Sequence, residues 1–200
     1  MSRIITAEEV RTRMSLQDDP GVNTSIESAL DASLVIVESV LSTTLSASTS
    51  VDTFYLDAVV HDHIFGLYTL RMNKGFIHSD PAPVIQISRT LADLDSGLGD
   101  SVSGTISDWE RGMVKVPDTC GDHYVRVSYS YGFEEDADED EIPSWLKELV
   151  LVHTILVLTN QQIADGNAEL SKVAPFIDKQ WRTIADNHLR SRSASIMAIL

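Results

Sequence analysis

The stretch Tyr124–Val157, YVRVSYSYGFEEDADEDEIPSWLKELVLVHTILV, joins three kinds of sequence within a few dozen residues. Its first part alternates apolar or aromatic residues with polar ones up to Gly132-Phe133, the period of a half-buried strand. Its middle is acidic: seven of the eight residues from Glu134 to Glu141 are Asp or Glu. Charge so dense repels itself and reads as a solvated loop or an electrostatic docking surface. Its last part opens at Pro143, which fits a first helical turn because its missing N–H costs nothing there. Trp145, Leu146, Leu149, Val150, Val152, Ile155, Leu156 and Val157 then make the helix apolar on most sides, so it belongs in the middle of a bundle. Strand, charged loop and central helix in succession predict a mixed α+β chain. No catalytic group stands out in any of the three.

Upstream of this stretch the period stays short. Phe54 to Leu56, Leu67 to Met72, Val84 to Leu91, Ile106 to Trp109, Met113 to Val116 and Val125 to Phe133 are strand candidates separated by Gly, Pro, Asn and Asp. Glu110-Arg111-Gly112 reads as a hairpin turn, and Pro81-Ala82-Pro83 limits the following strand to an edge or a start. Together they close a small sheet or barrel over about residues 51–133. Further upstream, Ser42 to Ser50 is nearly all Ser, Thr and Ala and reads as a connection. Before it, Thr6 with Glu9 and Thr24 with Glu27 have capping-box spacing. They predict a short helix over 6–14 and an amphipathic one over 25–42, the latter carrying Ile26, Ala29, Leu30, Leu34, Val37, Val40 and Leu41.

Downstream, the apolar helix spans 143–164. A fourth helix over 168–189 follows Asp165-Gly166-Asn167, with Leu170, Val173, Phe176, Ile177, Trp181 and Ile184 on one face despite Pro175 near its start. Residues 191–200, SRSASIMAIL, read as an extended tail. The prediction is one domain over 1–190: a bundle of about four helices with a β-rich sheet or barrel-like module inserted between the second and third.

Two hundred residues with 43% apolar content suffice for such a core. The formal charge of -15 argues against binding nucleic acid through the bulk surface, which takes clustered Lys and Arg. The acid is unevenly spread, since the last third also carries Arg182, Arg190 and Arg192. A single cysteine, Cys120, excludes an internal disulfide framework and a Cys-based zinc site. The N-terminus lacks a secretory pattern, and the longest apolar run, Leu149 to Leu158, is about half of what a bilayer span needs. These features predict a soluble, unexported protein.

His61-Asp62-His63 places two imidazoles around a carboxylate, but no third ligand lies in the local sequence, and a polar turn between strands is the plainer reading. His153, inside the apolar helix with no nucleophile near it, reads as a core or interface histidine. The acidic run lacks the alternating ligands and central Gly of a calcium loop. Gly97-Leu98-Gly99 with Gly104 lacks the strand-to-helix context and lysine of a phosphate cradle. The end of the chain joins Arg190 and Arg192 to Ile196, Met197, Ile199 and Leu200, an apolar end that a monomer does not favour exposing. It either packs back on its own helices or inserts into a partner.

The order of segments resembles the head-to-tail connector (adaptor) proteins of tailed bacteriophages. The resemblance runs through Ile5-Thr6 opening a short helix, Leu16 with Asp18-Asp19 ahead of an Ala-containing amphipathic helix, and PAPVIQISRTL. It continues through WERGMVKV, VRVSYSYGF and IPSWLKELV, covering nearly residues 1–160. The acidic run is longer than the loop expected there, and the chain is longer than compact members of the family. The resemblance implies a structural protein of the virion neck, assembled in the host cytoplasm, with no reaction and no cofactor or metal. About twelve copies would form a ring around the DNA channel, joining the portal protein to a stopper or a tail completion or terminator protein. DNA passes through such a ring without being read, and no membrane is involved. In that setting Arg190, Arg192, Ile196, Met197, Ile199 and Leu200 are the expected portal-binding residues. Glu134, Glu135, Asp136, Asp138, Glu139, Asp140 and Glu141 are expected to face the channel or a partner.

Rival readings are a stopper or tail completion protein of the same neck, a metal-dependent hydrolase built on His61, Asp62, His63 and His123, and an acidic regulator with a helical dimer interface. A hydrolase needs a third convergent ligand and an open site.

Overall fold

Thr6 caps the first helix as its spacing predicts: its hydroxyl accepts from the Glu9 N–H at 3.2 Å while the Glu9 carboxylate accepts from the Thr6 N–H. In the computed structural model, which describes residues 4–62, 65–118, 123–134 and 141–197, this helix is α1, Ala7–Met14. It ends at Ser15, whose left-handed φ of 54° lets the Leu16 N–H reach back to the Arg11 carbonyl at 3.0 Å. Helix α2, Pro20–Leu41, starts five residues earlier than Thr24 and Glu27 suggest. The Asp19 carboxylate accepts from the N–H groups of Gly21 and Val22, and Pro20 supplies a pre-set φ at the first position. With the helix already begun, the Thr24 hydroxyl donates back to the Pro20 carbonyl instead of capping.

The contacts divide the chain into a helical unit, residues 4–42 and 141–197, and a β unit, residues 43–134. In the helical unit α4, Ser144–Ala164, is central: α2 and α5, Ala174–Met197, both pack on it. That is why α4 is apolar on more than one side, with Leu146, Leu149, Val150, Val152 and Leu158 all buried. Pro143 lies one position outside this helix, and its carbonyl accepts from the N–H groups of Leu146 and Lys147. The buried stripe of α2 is Ile26, Ala29, Leu30, Ser33, Val37 and Leu41, spaced by helical turns.

The fourth predicted helix is broken. Residues Ala168–Lys172 form a 3₁₀ turn, and α5 begins afresh at Ala174 because Pro175 cannot donate to the preceding turn. The break rotates the predicted apolar face: Val173 and Phe176 are exposed, while Ala185 is buried and Ile177, Trp181 and Ile184 are half-buried. The C-terminal segment also differs from the extended tail expected at 191–200. The backbone of α5 continues to Met197, since SRSASIM contains neither Gly nor Pro to stop it.

In the sequence the β unit is inserted between α2 and α4, as expected, and it forms two four-stranded antiparallel sheets. One has the order β1-β8-β4-β5: β1 Ser48–Tyr55, β8 Tyr124–Tyr131, β4 Val84–Ser88, β5 Asp100–Val102. The other has β2-β3-β7-β6: β2 Val60–Asp62, β3 Leu67–Arg71, β7 Met113–Pro117, β6 Thr105–Asp108. Both contribute to one core, with Ile85, Ile87, Val125 and Val127 from the first and Leu70, Val114 and Val116 from the second. A shared core between two sheets is a sandwich rather than a closed barrel. The alternation in β8 is complete, every second residue from Val125 to Tyr131 being buried. A short helix α3, Leu91–Asp95, replaces the end of the predicted strand 84–91, because the Thr90 hydroxyl caps it by accepting from the Asp93 N–H. The turn at Glu110-Arg111-Gly112 joins β6 to β7 as predicted.

Candidate functional site

The sequence offers charge and an apolar end as candidate surfaces, and the structure positions only part of each. Glu134 and Glu141, at the two ends of the acidic run, are exposed. Glu135, Asp136, Asp138, Glu139 and Asp140 lie outside the described residues. Arg190, Arg192, Ile196 and Met197 belong to the backbone of α5, while Ile199 and Leu200 lie outside the described residues.

Of the residues of the hydrolase reading, His61, Asp62 and His123 are engaged in other contacts. His61, on β2, has its Nε2 3.0 Å from a carboxylate oxygen of Asp118 and its ring 4.5 Å from that of Tyr68. The Asp62 carboxylate accepts from the Phe65 N–H, closing the turn to β3. His63 lies outside the described residues. His123 sits with its Nδ1 3.6 Å from Asp57, beside the ring of Tyr55. There the Tyr55 hydroxyl bond to Asp57 pulls the carboxyl below its ordinary range, with the His123 charge adding to it, and pushes the tyrosine up. Among the described residues no group of three or more His, Cys, Asp or Glu side chains is placed to hold a metal ion. Nor is any described helix long and apolar enough to cross a membrane.

Two polar constellations escape sequence reading. Asp52, nearly fully buried on β1, accepts from the Asn73 N–H and the Asn73 side-chain amide, each at 2.7 Å, and from the Tyr129 hydroxyl at 2.8 Å. The Tyr129 oxygen in turn accepts from the Lys74 N–H. Burial, and then the bond to Asp52, raise the tyrosine pKa far above its ordinary value, so this hydroxyl stays a donor. The network ties the turn after β3 to the opposite sheet. On the other face of β8, Arg126 donates to the Leu94 carbonyl at 2.7 Å and to the Asp95 carboxylate. It neutralises the C-terminus of α3 and fixes that helix to the sheet.

His153 is buried in the seam between α4 and α5, its ring 4.9 Å from that of Trp181, while Trp145 stacks on His188 at 3.9 Å further along the same pair. Burial lowers the His153 pKa, and the Asp178 charge opposes this only in part. The unfolded chain therefore binds a proton near the ordinary value of 6.5 that the folded chain refuses. The contribution is fully present above that value and is lost as pH falls below it toward the folded pKa. The expected result is a stability that rises with pH across this window, with His153→Leu flattening the slope. Urea unfolding at a series of pH values from 5 to 7.5 measures it, and an unchanged slope in the variant removes the assignment.

No protein-family model matches the sequence, and no curated protein matches it. Among solved structures, the chain is similar to one in the neck of an empty gene transfer agent (GTA) particle computed with C6 symmetry. The identity is 12%, the TM-score 0.41, and the alignment covers 76% of this chain and 75% of that one. It is also similar to a chain in the virion of the native GTA particle, at 10% identity and a TM-score of 0.44, over 76% of each chain.

Proposed function

We propose that this protein is a structural head-to-tail connector (adaptor) of a tailed bacteriophage or phage-like particle. About twelve copies form a ring between the portal and a stopper or tail completion protein, and the genome passes through its centre. The observation that supports this reading is the order of elements. A capped short helix, a Pro-started amphipathic helix, a β module and a central apolar helix after Ile142-Pro143 follow one another as the resemblance implies. In this role the acidic segment Glu134–Glu141 lines the channel or meets a partner. Carboxylates there repel DNA phosphates and keep the duplex from adhering as it moves. The end of the chain from Ser191 engages the portal, with Arg190 and Arg192 pairing with acids and Ile196, Met197, Ile199 and Leu200 filling a groove.

The test is electron microscopy of the protein mixed with its portal. A ring of matching symmetry stacked on the portal is expected, and a variant ending at Arg190 is expected to keep its fold while losing the stacking. Free subunits beside bare portals, also in the presence of tailed particles, overturn the connector reading. Normal docking by the truncated variant overturns only the role of the C-terminal segment.

A further inference from the structure

The helices of the bundle differ in charge. Helix α1 balances Glu8 and Glu9 with Arg11 and Arg13, and α4 balances Lys147 with Glu148. Helix α2 carries Glu27, Asp31 and Glu38 with no Lys or Arg, whereas α5 carries Lys179, Arg182, Arg190 and Arg192 against Asp178 and Asp186. Both helices flank α4. Exposed large apolar side chains follow the same division. Among the described residues of the helical unit they are Val35 (59% exposed) and Ile36 (43%) on α2, and Val173 (47%) and Phe176 (74%) at the start of α5.

Each apolar pair has its own charged rim. On α2, Asp31 lies one turn before Val35 and Glu38 one turn after it. Lys172 closes the 3₁₀ turn just ahead of α5, and on α5 itself Lys179 lies one turn after Phe176, with Arg182 beyond. Lys172 bonds Glu169 at 3.0 Å and Arg182 bonds Asp178 at 2.8 Å, but both are exposed pairs of the kind that contributes little and exchanges readily. One patch is thus apolar with an acidic rim, and the other apolar with a rim in which Lys172, Lys179 and Arg182 outnumber Glu169 and Asp178. Two α2 patches facing each other would oppose acid to acid, and two α5 patches base to base, so neither self-pairs well. One of each is matched in apolar character and complementary in sign.

We infer that a second copy of this chain covers the Val35–Ile36 face of α2 with the Val173–Phe176 edge of its own α5. Asp31 and Glu38 of one copy then face Lys179 and Lys172, respectively, of the next. A contact between two different patches is head-to-tail, and repeated around an axis it closes a ring. The inference rests on the ring reading above and names the subunit contact within it.

The test uses the full chain with Cys120→Ser, carrying Ile36→Cys or Phe176→Cys. The two variants are mixed under conditions where light scattering shows the parent assembled, and are then mildly oxidised. Covalent dimers are expected from the mixture and not from either variant alone. A chain carrying both substitutions should give a ladder on a denaturing gel. In parallel, Asp31→Lys is expected to weaken self-association about tenfold, the effect of setting like charges together at one rim. Adding Lys179→Glu should restore it, with thermal melting confirming the fold. Assemblies that form without the mixed cross-link, or with Ile36→Cys cross-linking to itself, overturn this contact and leave the ring reading standing. A chain that stays monomeric both alone and on its portal overturns both.

Discussion

Replacing Asp52 with Ala is expected to destabilise the protein by about 2–4 kcal/mol, chiefly through the buried Tyr129 hydroxyl it leaves without an acceptor. The carboxylate accepts three hydrogen bonds in a site 5% exposed. Removing it strands the buried Tyr129 hydroxyl and takes the acceptor from the Asn73 N–H and side-chain amide, which belong to an exposed residue that water can reach. A lost partner of this kind costs about 1–3 kcal/mol, and some of that is recovered as the turn at Asn73-Lys74 relaxes toward solvent. Asp52→Asn retains one acceptor oxygen and should cost less. Tyr129→Phe removes a donor and the acceptor for the Lys74 N–H, at about 1–2 kcal/mol. Urea unfolding of the three variants ranks them. A loss below about 1 kcal/mol for Asp52→Ala would mean that the turn, not the network, holds this side of the sandwich.

Gly132→Ala is the second large effect, at about 2–4 kcal/mol. Gly132 has φ +88°, and a Cβ there would stand 2.4 Å from the Ser46 carbonyl oxygen and 2.7 Å from its carbon. Both are backbone atoms, held by the bridge between Ser46 and Phe133 and by the bond from the Phe133 N–H to the Leu45 carbonyl. Neither can swing aside as a side-chain tip would. The Gly132 N–H also donates to Phe76, and its carbonyl meets His78 Nε2, so a shift there breaks further bonds. Gly166 supplies the control. Its φ is +105°, yet nothing lies within 4 Å of its added Cβ, so Gly166→Ala carries backbone strain without collision. Equal losses in the two variants would assign the effect to φ alone.

Much of the architecture is legible in the sequence where the signal is local. The alternation Tyr124–Tyr131, the Thr6–Glu9 box and the apolar run after Pro143 each carry their cause within a few residues. The misplaced start of α2 is a contest between two local signals, which Asp19 with Pro20 wins over Thr24 with Glu27 because it comes first and satisfies the free N–H groups. Strands β2 and β5 are three residues each, too short for a period to show, and exist because β3 and β4 pair with them. Strand β1 shows in the sequence only at its end, Phe54-Tyr55, and its start Ser48–Ser50 reads as part of a Ser/Thr connection, because it is an edge strand whose one buried residue within Ser48–Tyr55 is an aspartate.

The candidate surfaces divide in the same way. The acidic run and the Arg-containing apolar end are visible as composition, since charge density does not depend on what folds against it. The exposed patches are less so: Val35 and Ile36 fall outside the apolar stripe read for α2 without marking a surface, and Phe176 looks like a core residue until the break at Pro175 decides which side α5 buries.

Periodicity and capping act over a turn or two, so the α+β class, the insertion of the β module between an amphipathic helix and an apolar one, and the central place of Ser144–Ala164 can all be read along the chain. The pairing of the strands into two sheets, the partners of Asp52 and the uncovered faces of α2 and α5 come instead from packing between distant segments. Asp52 meets residues 21 and 77 positions away, and no local pattern encodes a partner at that distance.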